Sequence, residues 1–224
     1  MIEVRNISKK YKKVQALSDV SLSIQEGMVT GIVGPNGSGK STFIKIVTGL
    51  ITHFEGEVHF DRITQQQLSL ASEEFGFPSY YSVKKVVKVF SLLKNAEETQ
   101  TNELIDYLKL SPHLSKTVKQ LSQGLKQRLN IACALMGNSE IIILDEPNNG
   151  LDPDGFKQLR EIILKSKKEG KTVIVASHLL NEIEKTCDQV IFLNNGKKLA
   201  QESTKIILEE HGSLEAAYDH YSNL

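Results

Sequence analysis

The sequence predicts an α/β fold: a mostly parallel sheet flanked by helices, with a small sheet ahead of it and a helical lobe inserted within it. Three observations carry this. Strand-like and helix-like segments alternate along much of the chain, the arrangement that builds parallel sheets. Ile141-Ile142-Ile143-Leu144 is apolar throughout, as a strand buried on both faces of such a sheet requires. The glycine-rich turn from Gly34 to Thr42 stands between an apolar strand and an apolar helix pattern.

The elements follow in order. Ile2 to Ile7 and Asp19 to Ile24 alternate apolar and polar residues, as half-buried strands do, and precede the buried strand Met28 to Val33. A helix starts near Lys40, and Glu57 to Phe60 reads as a further short strand. From Ser82 to Met136 the period turns helical through Val83, Val86, Val87 and Phe90, then Leu104, Ile105 and Leu108, then Leu125, Leu129, Cys133 and Met136. This is the inserted lobe, residues 82–137 of a single domain spanning 1–224. The core resumes at Ile141, followed by a helix from Pro153 to Lys168, with Asp152 as cap and Pro153 in the first turn. Next come a strand from Thr172 to Ala176, a helix from Leu179 to Thr186 and a strand from Gln189 to Leu193. Asn194-Asn195-Gly196-Lys197 reads as a hairpin turn. Residues 212–224 read as a weakly patterned tail.

At 224 residues the chain is long enough to bury a sizeable core. Lysine plus arginine equals aspartate plus glutamate at 27 each, so no net charge draws it to nucleic acid or to an anionic membrane. Cys133 and Cys187 lie far apart with no metal-ligand spacing, and read as reduced, buried thiols of a cytosolic protein. The N-terminus alternates like a strand instead of carrying a signal peptide's apolar block. No apolar run approaches the roughly 20 residues that cross a bilayer, so membrane contact is expected only through a partner.

Gly34-Pro35-Asn36-Gly37-Ser38-Gly39-Lys40-Ser41-Thr42 is a phosphate-binding loop. Glycines let backbone N–H groups converge on phosphate where a Cβ would collide. Lys40 supplies a point charge for the outer phosphates, the Ser41 hydroxyl a ligand for Mg²⁺, and the following helix its positive dipole end. The loop alone leaves ATPases, GTPases and small-molecule kinases open. Asp145 and Glu146 end the apolar strand, at the sheet edge where ligands bind. They fit a division of labour in which Asp145 holds Mg²⁺ through its waters and Glu146 polarises the attacking water; the plainer reading is a pair of helix-capping acids. Leu121-Ser122-Gln123-Gly124 opens a helix, and alone would be only an N-cap.

Together these residues resemble the nucleotide-binding domain of an ATP-binding-cassette transporter, over almost the whole chain. Leu121 to Arg128 is similar to the family signature, and Asp145-Glu146-Pro147 to its magnesium aspartate, catalytic glutamate and following proline. Asn149-Gly150-Leu151-Asp152-Pro153 matches the loop that carries signals across the family's dimer, and Ser177-His178 the switch histidine that contacts the γ-phosphate. Tyr11, among lysines, stands where the family stacks an aromatic ring on adenine; the plainer reading is a strand-end ring covering the small sheet.

The sequence departs from the family pattern in three places. Gln123 replaces a signature glycine and Leu125 its glutamine, while Ser122 and Gly124, the residues facing phosphate in the family, remain. Reading Leu68-Ser69-Leu70-Ala71-Ser72-Glu73 against the family's lid-loop pattern puts Glu73 at the position of its glutamine, where a carboxylate could approach Mg²⁺ or its water. Phe75, Phe77, Tyr80 and Tyr81 crowd beside it in a chain with eight phenylalanines, six tyrosines and no tryptophan. They read either as packing between lobes or as a socket for a membrane subunit. His53, His59, His113, His211 and His220 have no spaced partners and read as ordinary surface or packing residues.

The resemblance implies a P-loop NTPase core with an antiparallel sheet at its start. It implies ATP and Mg²⁺ as cofactors and a head-to-tail dimer, with a second copy or a homologous subunit, in which ATP on Lys40 of one subunit is closed over by Ser122 and Gly124 of the other. It implies an ATPase on the cytoplasmic face of the cell membrane, driving a separate transmembrane permease subunit. The short length and the absence of a regulatory domain after Gly196 look most like exporters. The alternative is a soluble cassette ATPase working on a protein or cofactor assembly. Intact Glu146 and His178 argue against a regulator without turnover, and no long coiled-coil insertion supports a genome-maintenance cassette.

Overall fold

The alternating segments at the start of the chain form a three-stranded antiparallel sheet in the computed structural model, which describes residues 1–61, 67–72 and 76–223. Its strands are β1 (Ile2–Tyr11), β2 (Val14–Ile24) and β4 (Glu55–Phe60), in the order β2-β1-β4. β1 and β2 run further than the apolar alternation indicates, closing a hairpin in which Tyr11 faces Val14 across a turn with Lys12 at φ 51. Their outer ends carry lysines because these strands are solvent-exposed there and no buried face imposes a pattern.

The second sheet has six strands in the order β5 (Leu68–Ser72), β6 (Ile141–Asp145), β7 (Thr172–Ser177), β3 (Val29–Val33), β8 (Gln189–Asn194) and β9 (Lys197–Ser203). β5, β6, β7, β3 and β8 are parallel, and β9 turns back antiparallel to β8 through Asn195 and Gly196, both at positive φ (47 and 75). All residues of β3, β6 and β7 are buried, as expected where both faces are covered. β5 did not register as a strand of the fold in the sequence, since five residues with two serines give neither an apolar run nor a full alternation.

Helices cover both faces. On one, α1 (Lys40–Val47) sends Phe43, Ile44 and Val47 between the sheets, where they meet Ile2, Val4 and Leu22 of the small sheet and Ile143, Ile174 and Ile191 of the large one. On the other, α4 (Gln123–Leu135), α5 (Pro153–Lys168) and α6 (Leu180–Thr186) bring Leu129, Ile163 and Ile183 against Val33, Leu144 and Val175. α2 (Val83–Leu93) and α3 (Glu98–Tyr107) extend this second cluster with Val83, Val86 and Ile105, so the buried residues of the 82–137 segment are continuous with the main core. Local signals set the helix ends. Ser82 caps α2 by accepting from the Lys85 amide, and α5 starts on capping Asp152 with Pro153 and ends on Lys165, Lys167 and Lys168 beside its negative dipole end. Cys133 and Cys187 are free and buried, and burial pushes both thiols up to about 12.

One expectation is corrected and two are filled in. The tail is ordered: after α7 (Thr204–His211), residues Leu214–Ser222 form α8, which buries Leu214 and Ala217 and sets Tyr218 and Tyr221 against Phe192. Among the histidines read as surface or packing residues, the His211 and His220 rings lie 5.1 Å apart and His59 contacts Glu57 at 2.7 Å. The aromatic group divides. Phe77 is half-buried and edge-on to Phe90, Tyr81 is half-buried under the Lys85 ammonium at 3.9 Å, and Tyr80 is 73% exposed. Phe75 lies outside the described residues. Among the described residues, no helix is long and apolar enough to cross a membrane.

Candidate active site

β3 is a central strand, and its last residue, Val33, is in register with Ser177 of β7 and Phe192 of β8. The chain leaves β3 at the carboxyl edge of the sheet and turns through Gly34 to Gly39 into α1. Gly39 caps α1 at φ 108, and a Cβ there would lie 2.7 Å from the Ala16 carbonyl oxygen, so only glycine fits on both counts. The β8–β9 turn pins the loop from the side: the Gly196 amide donates to the Ser38 carbonyl at 3.0 Å, and the Gly196 carbonyl accepts from the Ser18 amide at 2.8 Å.

The loop suits a polyphosphate. α1 begins with no side-chain cap and no acid in its first turn, which leaves its positive dipole end open to an anion. Ser38 Oγ is buried and has no hydrogen-bond partner. Asn36 and Gly37 are exposed, Gly37 at φ 83 with open space where a Cβ would stand, and Ser41 and Thr42 are half-buried in the first turn of α1.

Lys40 is 6% exposed, and its ammonium donates to the carbonyls of Gly34 at 2.7 Å and Pro35 at 3.3 Å. It also lies 3.3 Å from Glu146 Oε1. Glu146 Oε2 accepts from His178 Nδ1 at 2.8 Å. Three candidate catalytic residues from three segments thus form one chain of contacts, Lys40 to Glu146 to His178. Glu146 itself is a non-glycine residue at φ 49, held there by its amide donating to the Ala176 carbonyl at 2.9 Å. A non-glycine residue in this region of φ is the kind of position that surrounding structure must over-determine. Asp145, buried at the end of β6, lies between Ala176 of β7 and Ser72 of β5 in the sheet register. Asp145 supplies a carboxylate and Ser41 a hydroxyl, the oxygen chemistry that Mg²⁺ prefers, with much of its shell taken from water and phosphate. Glu73 lies outside the described residues.

Ser122, Gly124 and Asp152 form a second group around the start of α4. Ser122 caps the helix, accepting from the Leu125 amide at 3.3 Å. A Cβ on Gly124 would lie 2.5 Å from the Gly150 carbonyl oxygen, and one on Gly150 would lie 2.6 Å from Gln123 Cγ. The signature turn and the 148–151 loop are therefore pressed backbone to backbone. Asp152 accepts from the Gly155 amide at 2.9 Å and from Arg128 at 2.7 Å, and these two contacts, the amide first, hold its carboxyl below the usual carboxylate range. Tyr11 sits at the tip of the β1–β2 hairpin, 43% exposed, with Lys9 Nζ 5.1 Å from its ring centroid. A cavity of about 780 Å³ lies at the other end of the strands, lined by Met28, Asp188, Gln189 and Thr204, away from the phosphate loop.

The sequence did not point to Gln127 and Arg128 as site residues. Gln127, buried, donates to the Glu146 carbonyl at 3.5 Å, and Arg128, also buried, reaches Asp152, Gln158 and the Leu108 carbonyl. A signal existed: Gln127 and Arg128 follow Gly124 by three and four residues, which puts all three on one helix face.

Known proteins are similar to this chain in sequence and in fold. Residues 17–149 match the family model described as ABC transporter. The chain is similar to the lantibiotic transport ATP-binding protein SrtF of Streptococcus pyogenes, 37% identical over 202 residues and covering 88% of both chains. It is 34% identical over 200 residues to an uncharacterised ABC transporter ATP-binding protein of Methanocaldococcus jannaschii, covering 88% of this chain and 75% of that one. Among solved structures, an ATP binding subunit of an ABC transporter superposes with a TM-score of 0.89 at 25% identity over 99% of both chains. A dimeric post-hydrolysis state of an ATP-binding cassette bound to ADP and Pi superposes with a TM-score of 0.81 at 26% identity, over 91% of this chain and 99% of that one.

Proposed function

This chain belongs to the ABC transporter family as an ATP-binding, ATP-hydrolysing subunit, and we propose that it drives export through a separate transmembrane subunit by closing and opening a head-to-tail dimer. The observation that carries the catalytic reading is the Glu146 carboxylate, seated between the Lys40 ammonium and the His178 imidazole. In this reading the loop from Gly34 to Thr42 binds the phosphates, with Lys40 on the outer ones, and Tyr11 stacks on the adenine. Glu146 takes the proton of the attacking water, and His178 orients Glu146 and contacts the terminal phosphate. Mg²⁺, bound through Ser41 and Asp145, would neutralise charge on the phosphates.

Ser122 and Gly124 cover the nucleotide held by the partner subunit, and Asp152 anchors the loop that meets it. Residues 82–137 act as an inserted helical subdomain that carries this surface within a single domain of 224 residues. ATP then bridges two positively polarised helix ends, and its hydrolysis removes the bridge. The dimeric cassette that superposes on this chain supports the assembly. Exposed Tyr80 supports contact with the transmembrane subunit, since tyrosine is favoured at interface anchors, and that contact would hold the chain on the cytoplasmic face of the membrane. Affinity purification of the tagged chain from detergent-solubilised native membranes tests this: the reading expects a multi-spanning protein at stoichiometric yield, and capture of soluble proteins alone would replace it with a soluble cassette ATPase.

A further inference from the structure

Between the catalytic Glu146 and the capping Asp152 the chain makes a tight loop that α4 holds at three points. At the near end, the Gln127 side-chain amide donates to the Glu146 main-chain carbonyl at 3.5 Å. In the middle, the Gly150 carbonyl is pressed onto the α-carbon of Gly124. At the far end, Arg128 grips Asp152 at 2.7 Å, while its own guanidinium is fixed by Leu108 and Gln158. Gln127 is 5% exposed, so its contact with the Glu146 carbonyl does not compete freely with water, while Arg128, 6% exposed, reaches out to a largely exposed Asp152.

Glu146 needs such a hold. Its φ of 49 is unfavourable for a side chain with a Cβ, and its carboxylate must meet Lys40 and His178 at once. Its amide is tied to Ala176 and its carbonyl accepts from the Asn149 amide at 3.2 Å within the loop itself. The Gln127 contact is the described hydrogen bond that ties this carbonyl to the helix beginning at Ser122.

We propose that Gln127 is a positioning residue for Glu146: it fixes the peptide after Glu146 to α4, so the helix that presents Ser122 also sets where the catalytic carboxylate points. This rests on the assignment of Glu146 as the base. The bond is at the long end of hydrogen bonding, as contacts around a reaction centre often are before substrate draws them in. When Ser122 seats on phosphate, α4 moves with it, and the carbonyl held by Gln127 follows.

Two variants of the full chain test this, Gln127→Met, which keeps length and volume but cannot donate, and Gln127→Glu, which donates only when its carboxyl is protonated. Steady-state phosphate release with Mg-ATP should show kcat down by about tenfold or more in both at pH 8, with the Kd for a fluorescent ATP analogue unchanged. The ratio of Gln127→Glu to wild-type kcat should rise as pH falls toward 6, while the ratio for Gln127→Met stays flat. A kcat within twofold of wild type for Gln127→Met, or a fall explained by equal loss of nucleotide binding, overturns the proposal. Wild-type protein without measurable hydrolysis would instead remove the assignment of Glu146 on which it rests.

Discussion

Lys40 Nζ lies 3.3 Å from one oxygen of Glu146, whose other oxygen accepts from His178 Nδ1 at 2.8 Å. In the proposed function, the group that would hold phosphate and the group that would activate water are therefore in direct contact. On this proposal a terminal phosphate at Lys40 would compete with Glu146 for the same ammonium, while His178 would keep hold of the carboxylate. The proposal thus links binding and base placement through one buried charge, whose Coulomb interactions are weakly screened at 6% exposure.

Gly124 has a structural duty besides any contact with phosphate. Gly124→Ala places a methyl 2.5 Å from the Gly150 carbonyl, a backbone atom with no easy escape. The expected cost is about 1–3 kcal/mol of stability together with a displaced 148–151 loop. Denaturant unfolding should show a lowered midpoint in the isolated chain without nucleotide. An unchanged midpoint with lost ATPase activity would leave Gly124 with the phosphate role alone.

Tyr11 is exposed at a hairpin tip, with Lys9 Nζ 5.1 Å from its ring centroid. Tyr11→Ala should weaken ATP binding by roughly 1 kcal/mol, about fivefold, and Tyr11→Phe should weaken it little. Equal losses in an ATP titration would assign the ring to the support of the small sheet.

Tyr80 and Tyr81 stand edge-on to each other at 5.0 Å but differ in burial. Tyr80→Ala is expected to leave melting temperature and basal ATPase rate near wild type and to weaken capture of the transmembrane subunit. Tyr81→Ala removes packing against the core and should lower the melting temperature. Thermal melts beside a membrane pull-down separate the two; normal assembly by Tyr80→Ala would remove it from the docking surface.

Both thiols are pushed up to about 12, Cys133 and Cys187 alike by burial first. Since the thiolate is the reactive form, a maleimide at pH 8 should label neither cysteine in the folded chain and both in guanidinium. Labelling of native protein would show that α4 or the end of α6 opens readily.

The parts of the fold legible in the sequence were those written locally. The phosphate loop, the apolar strand ending in Asp145 and the Asn195-Gly196 turn each lie within a few residues, and the structure has them where the pattern predicts. α8 was also written locally, since Leu214, Ala217, Tyr218 and Tyr221 follow helical spacing after capping Ser213, but aromatic and small residues on a short helix make a weak stripe. The contacts that organise the site were not legible. Gly124 against Gly150, Gln127 on the Glu146 carbonyl and Gly196 on Ser38 join residues that are far apart in the chain, and only the folded backbone shows why glycine or glutamine is required there.

If Glu146 is the base of an ATPase that works as a closing dimer, one variant separates closure from turnover. Glu146→Gln keeps the shape of the side chain and its place beside His178 while removing the basic oxygen. Gel filtration of this variant with Mg-ATP, run beside a phosphate-release assay, measures both halves of the claim at once. The expected result is a stable dimer, absent without ATP, and phosphate release lowered by about 10²-fold or more. Hydrolysis near the wild-type rate, with the chain eluting as a monomer, would contradict it.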